Sequence, residues 1–173
     1  MISRRNFIKA IAAATAFYPF RDVIASGEGQ RSLNLCNIHT DERLDITYFY
    51  AGRYDYEALS KLNYLLRCHY TNEVRPIDIN VLDLLCEIKE RIDRNAQIQV
   101  ISGYRSPEYN DYLASLGRHV SRNSYHMKGL ALDFSIEGVS NNALSDIARS
   151  LASGGVGKYP EFVHIDVGPI RYW

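Results

Sequence analysis

The chain has 173 residues, 20 Lys+Arg against 20 Asp+Glu and 46% hydrophobic residues, the composition of an ordinary single globular domain. A zero charge balance leaves no electrostatic footprint for nucleic acid, and no stretch reaches the roughly 18 consecutive apolar residues of a membrane span. With 12% aromatic residues there is enough apolar surface for a core, so DNA binding, membrane integration and disorder are all disfavoured.

Met1 to Ala25 reads as a targeting segment. Ser3-Arg4-Arg5-Asn6-Phe7-Ile8-Lys9 is followed by a weakly apolar run from Ala10 to Phe20 and by Val23-Ile24-Ala25, which resembles a bacterial twin-arginine signal. The competing reading is an amphipathic first helix that stays attached, and Arg21 near the end of the apolar run is its best support. Cleavage after Ala25 leaves a single domain of 148 residues, 26–173, with 16 basic and 19 acidic side chains and a net charge of −3. The expected compartment is the periplasm, reached by the twin-arginine route.

Leu33 to Ile38 and Leu44 to Tyr50 are short β-rich runs separated by a polar stretch, the pattern of a hairpin. Asp55 is placed to cap a helix with Ala58, Leu59, Leu62, Leu65 and Leu66 at helical spacing. Asp78 is placed to cap another with Val81, Leu82, Leu85, Ile88 and Ile92. A strand follows from Gln97 to Ser102, and Ser106-Pro107 then supplies an N-cap and a proline at the first helical position, which sets Arg105 at a helix entrance.

Two further strands frame a fourth helix, which starts at Asn141 or Asn142 and is closed by Gly154-Gly155. In Leu130 to Ile136 the large apolar residues alternate with Ala131, Asp133 and Ser135. In Phe162 to Val167, Val163, Ile165 and Val167 share one face and His164 and Asp166 the other. Strands and helices mix without strict βαβ alternation, which predicts an α+β fold, a largely antiparallel sheet with packed helices. Cys36, Cys68 and Cys86 fall in different elements and form no C-x-x-C pair; buried free thiols are the simplest reading, with one disulfide as the alternative.

Three residues have metal-ligating chemistry and a shared context: His126 in the loop entering a strand, Asp133 on that strand's polar face and His164 on the polar face of the last one. Two imidazoles and a carboxylate suit Zn²⁺, whose fourth position goes to a water that the metal acidifies. Spacing alone carries little weight, but two strands that each direct an apolar face inward and a ligand-type residue outward imply a polar face that lines a site. Glu161, three residues before His164, is the first candidate for a general base and Asp166 the second. His39, His69 and His119 lack this context and default to surface or hydrogen-bonding roles.

Ser102-Gly103-Tyr104-Arg105-Ser106, Ser124-Tyr125-His126-Met127-Lys128-Gly129-Leu130-Ala131-Leu132-Asp133, Gly154-Gly155-Val156-Gly157-Lys158-Tyr159-Pro160 and Phe162-Val163-His164-Ile165-Asp166 together resemble the zinc D-alanyl-D-alanine peptidase superfamily. Within it the chain is most similar to the murein endopeptidase K (YcbK-like) branch of cell-wall hydrolases. The resemblance implies a Hedgehog/DD-peptidase-like fold, a zinc held by His126, Asp133 and His164, and a peptidoglycan peptide as substrate. It matches Arg105 to the arginine aimed at the substrate carbonyl and Ser124 to a serine that binds the substrate backbone.

Glu161-x-x-His164 reproduces the acid-x-x-His spacing of several members, although the turn before it is shorter than is usual in this branch. Arg67-Cys68-His69 departs from the Asp-His expected after Leu65-Leu66-Arg67. A murein endopeptidase of DD or LD type is the reading to test, against a carboxypeptidase that trims stem peptides and an inactive zinc-containing binding module.

Overall fold

A computed structural model describes residues 29–118 and 120–173. Residues 1–25, read above as a twin-arginine signal, and His119 lie outside the described residues.

β1 (Arg31–Asn37) and β2 (Arg43–Tyr50) form the expected antiparallel hairpin, and β3 (Arg53–Tyr54) turns back on β2. Asp55 caps α1 (Tyr56–Leu65), its Oδ1 accepting from the backbone N–H of Glu57 at 2.8 Å and of Ala58 at 3.1 Å. Asp78 caps α2 (Ile79–Glu90) through the N–H of Asn80. In both, a carboxylate satisfies orphan donors at the positive end of the helix dipole. Most apolar positions read from the sequence are buried, Leu59, Leu62 and Leu65 in α1 and Val81, Leu82, Leu85 and Ile88 in α2, while Ile92 lies beyond α2 and is half-buried.

β4 (Gln97–Ser102) runs parallel to β1. α3 (Pro107–Ser115) begins at Ser106, whose hydroxyl accepts from the Tyr109 N–H at 3.1 Å. A short 3₁₀ turn (Tyr125–Lys128) leads into β5 (Ala131–Ile136), followed by α4 (Asn141–Ser150), β6 (Gly155–Lys158), β7 (Val163–Asp166) and β8 (Arg171–Tyr172). The eight strands form one open sheet in the order β3-β2-β1-β4-β5-β7-β6-β8. Only β1–β4 and β6–β8 pair in parallel, so the fold is α+β with a mixed, largely antiparallel sheet. Among the described residues no helix is long and apolar enough to cross a membrane.

The fourth helix starts at Asn141, as expected, but does not close at the glycine pair. Ser140 is the N-cap, its hydroxyl accepting from the Ala143 N–H, and the helix ends at Ser150, well before the glycine pair. Gly154 and Gly155 lead into β6 because a side chain there has no room: a Cβ on Gly154 would lie 1.8 Å from the Asp166 carbonyl oxygen, and one on Gly155 would lie 2.5 Å from Asp166 Oδ2. Close approach to β7, rather than helix termination, explains the pair.

α2 packs on β1, β7 and α4, and α4 packs on β6 and β7. Leu33, Leu35, Leu132, Phe134, Val163 and Ile165 belong to the core cluster formed with these helices and are at most 1% exposed. Each such side chain contributes roughly 1.5–3 kcal/mol by leaving water. Because strand side chains alternate, burying Leu132 and Phe134 on the helix face puts Asp133 on the other, and Val163 and Ile165 do the same for His164 and Asp166.

Candidate metal centre

Asp133 and His164 are directly opposite each other across β5 and β7. His126 reaches them from the 3₁₀ turn, which ends at Gly129 with φ 69°. That left-handed conformation and the 2.2 Å a Cβ would leave to the Pro76 carbonyl oxygen both require glycine. On the other side of β5, the β4–β5 register slips between Val100 and Ser102, a bulge that sets Ser102 opposite Asp133. Bulges at such places re-aim the chain around a site. The polar face is buried: His126 is 3% and Asp133 5% exposed.

Three atoms converge. His126 Nε2 lies 3.2 Å from Asp133 Oδ1 and 3.2 Å from His164 Nδ1, and His164 Nδ1 lies 2.7 Å from Asp133 Oδ1. A tetrahedral zinc with bonds of about 2.0–2.1 Å separates its ligand atoms by about 3.3–3.4 Å, so two edges of this triangle nearly match that spacing and the third is somewhat short. The outer nitrogens are engaged as a metal site requires. His126 Nδ1 is 2.9 Å from the Gly103 carbonyl oxygen and His164 Nε2 is 3.0 Å from Asp166 Oδ2. Each acceptor calls for an N–H on the outer nitrogen, which turns a lone pair of the neutral ring inward.

Burial opposes the charge on Asp133, yet His126 and His164 beside it hold its carboxyl well below the usual range. Burial would likewise depress His164, but hydrogen bonds to Asp133 and Asp166 outweigh it and push the imidazole up to about 9. The pocket favours a positive charge among these atoms, carried by a proton or by a metal ion. Among the described residues this is the one group of three or more such side chains close enough to share an ion.

Arg105, 8% exposed, reaches the same cluster. Its guanidinium lies 3.6 Å from Asp133 Oδ2 and 3.4 Å from Ser102 Oγ, and its Nε has no partner among the described residues. A buried guanidinium held this loosely keeps donors for something else. Ser124 precedes the 3₁₀ turn and its hydroxyl caps nothing there.

Asp166 is fully buried, and His164 and Arg171 hold it down at about 2 against the effect of burial. Glu161 is exposed in the turn between β6 and β7, which is closed by the Tyr159 N–H to Phe162 carbonyl bond at 3.0 Å. Asn141 braces that turn through the carbonyls of Tyr159 and Pro160.

Of the other described histidines, exposed His39 stacks on His69 at 3.7 Å. Tyr104 is a packing residue, 2% exposed with its hydroxyl donating to Glu73, and Arg67 clamps the hairpin turn to α1 through Glu42. All three cysteines are buried and free. The sequence reading missed the Gly103 carbonyl, Arg171 and Trp173; Trp173 has its ring centroid 5.4 Å from that of His164. The glycine at every second position, Gly155 and Gly157, was the available signal that something bulky lies on that face.

Residues 25–173 match the family model Peptidase_M15_2, described as peptidoglycan L,D-endopeptidase MepK. The chain is 41% identical over 145 residues to peptidoglycan L,D-endopeptidase MepK of Escherichia coli (strain K12), covering 83% of this chain and 80% of that protein. It is 42% identical over 146 residues to the probable peptidoglycan L,D-endopeptidase MepK of Haemophilus influenzae, covering 83% of this chain and 78% of that one. No solved structure matches the chain significantly.

Proposed function

The chain belongs to the Peptidase_M15_2 family and is a peptidase, and from that premise we propose that it is a metal-dependent endopeptidase that hydrolyses peptide cross-links of peptidoglycan. The observation that carries the reading is the inward convergence of His126 Nε2, Asp133 Oδ1 and His164 Nδ1. Of the DD and LD bond types, the names of the relatives favour the L,D type.

Zinc fits this donor set, and when bound it supplies a Lewis acid and a water acidified toward neutral pH. The chain's own residues do the rest. Arg105 turns its unpaired donors toward the substrate carbonyl, where negative charge builds as the tetrahedral centre forms. Ser124 offers its hydroxyl to the substrate backbone. Glu161, on the braced turn three residues before His164, takes the proton from the attacking water and returns it to the leaving amine. Asp166 has its oxygens committed to His164, Arg171 and backbone amides, which suits an orienting role better than that of a base.

A periplasmic or extracellular workplace follows from that substrate. We further propose that residues 1–25 are a cleaved twin-arginine signal ahead of one domain, 26–173; the start of the family match at residue 25 supports that boundary.

The test is to incubate the protein with purified sacculi, with and without a chelator, and to identify the released muropeptides by mass spectrometry. Chelator-sensitive loss of cross-linked dimers with matching monomers is the expected result. Shortened stems with intact dimers would select a carboxypeptidase, and one zinc per chain with no altered muropeptide would select a binding module.

A further inference from the structure

Asp166 is gripped on every side. Its Oδ2 accepts from His164 Nε2 at 3.0 Å and Arg171 NH2 at 2.6 Å, and its Oδ1 from Arg171 NH1 at 3.1 Å and the Gly168 N–H at 2.8 Å. The Arg171 contact is a fork on both oxygens, which fixes the plane of the carboxylate as well as its place.

Arg171 is itself held. Its guanidinium lies between the rings of Tyr125 and Trp173, 5.1 and 5.0 Å from their centroids. β8 brings it opposite Gly155, where a Cβ would come within 2.7 Å of its NH1. The Trp173 indole covers Gly157, the residue paired with His164 across β6 and β7.

We propose that Arg171 is a positioning residue for the metal ligand His164, acting through Asp166. The fork aims Oδ2 at Nε2, and that hydrogen bond fixes both the rotation of the imidazole and the nitrogen it presents to the metal. Freed of the fork, the carboxylate can turn about its own axis and the ring loses its fixed orientation. Groups behind a ligand typically change metal affinity by about 10–100-fold when removed. The inference rests on the reading of His126, Asp133 and His164 as a metal centre.

The experiment is a Zn²⁺ dissociation constant, measured by competition with a chromophoric chelator, together with the visible spectrum of the Co²⁺-loaded protein. Arg171→Met is expected to weaken Zn²⁺ binding about 10–100-fold and to change the Co²⁺ bands, with Arg171→Lys between it and wild type because a point charge grips one oxygen at a time. Tyr172→Phe, which removes the Tyr172–Arg149 hydrogen bond of the same strand, should leave both unchanged.

Wild-type affinity and spectrum in Arg171→Met, whatever its melting temperature, would reduce Arg171 to an anchor for β8 and overturn the inference. If that variant does not fold, Arg171→Gln replaces it with the same two outcomes. A wild-type protein that binds no Zn²⁺ would sink the metal centre as well, whereas tight wild-type binding with an unmoved variant sinks only the role of Arg171.

Discussion

The fold carries two polar clusters of opposite character, one half-buried and one buried. Near the β3–β2 end of the sheet, Asp83 accepts from Tyr48 at 2.9 Å, from Tyr54 at 2.7 Å and from Arg31 at 2.5 Å. Donors and acceptors match, and the cluster is complete without help. At the metal centre the match fails. With His126 donating to Gly103 and His164 to Asp166, the three inward atoms lie 2.7–3.2 Å apart, and only an added proton or metal ion completes the set. A buried group of acceptors with no donor among them is costly unless a cation completes it. Burial of polar groups therefore does not by itself mark a functional site; the unmatched set does.

The sharpest break of this contrast is His126→Ala. It removes one of three ligand atoms, so tight metal binding and peptidase activity should both be lost, the latter by several orders of magnitude, as read by metal analysis and muropeptide release. The helix-face core should be unaffected, since His126 is not part of it; far-ultraviolet circular dichroism unchanged from wild type is the check. A variant that still holds zinc tightly would show that the convergence is a hydrogen-bonded cluster like that at Asp83.

Glu161→Ala should have the next largest effect: zinc retained and turnover down by about 10²–10⁴ with little change in folding, because the side chain is exposed and supports no packing. Undiminished turnover would clear Glu161 and return the role of base to Asp166. Arg105→Lys keeps the charge but loses the planar fork, so kcat should fall by about 10²–10³ with metal content intact. Near-normal kcat would remove the proposed contact with the developing oxyanion and leave Arg105 as a partner of Asp133.

How much of this was legible depended on the range of the forces involved. Asp55, Asp78 and Ser106 were visible as caps because a cap acts within three residues, and the span of β4 followed from a run bounded by turn formers. The alternation around Asp133 and His164 was equally local, and burial of Leu132, Phe134, Val163 and Ile165 turned it into the convergence of the ligands. β6 and β8 were not legible. Gly155-Val156-Gly157-Lys158 carries glycine where strands favour bulk, because Asp166 and Trp173 occupy the space those side chains would need. The link from Arg171 through Asp166 to His164 depends on β8 pairing with β6, which no local pattern encodes. Gly154-Gly155 was misassigned for the same reason, a tertiary approach read as a helix end.

The mildest test probes the matched cluster through alkaline pH. Burial, with Asp83 close by, raises the Tyr48 phenol above its ordinary value near 10. A group whose folded value is raised stabilises the fold fully below the unfolded value and loses that contribution as pH climbs past it. Between about pH 10 and 11.5 the unfolded chain releases this proton while the folded chain keeps it, so the Tyr48 contribution to stability falls by up to about 1.4 kcal/mol per pH unit. Tyr48→Phe removes that proton together with a hydrogen bond worth about 1 kcal/mol at neutral pH. The variant should start less stable in urea unfolding and then converge on wild type as the pH rises. Parallel stability curves would mean that the phenol ionises as readily inside the fold as outside, and that the Asp83 cluster is more open to water than its burial indicates.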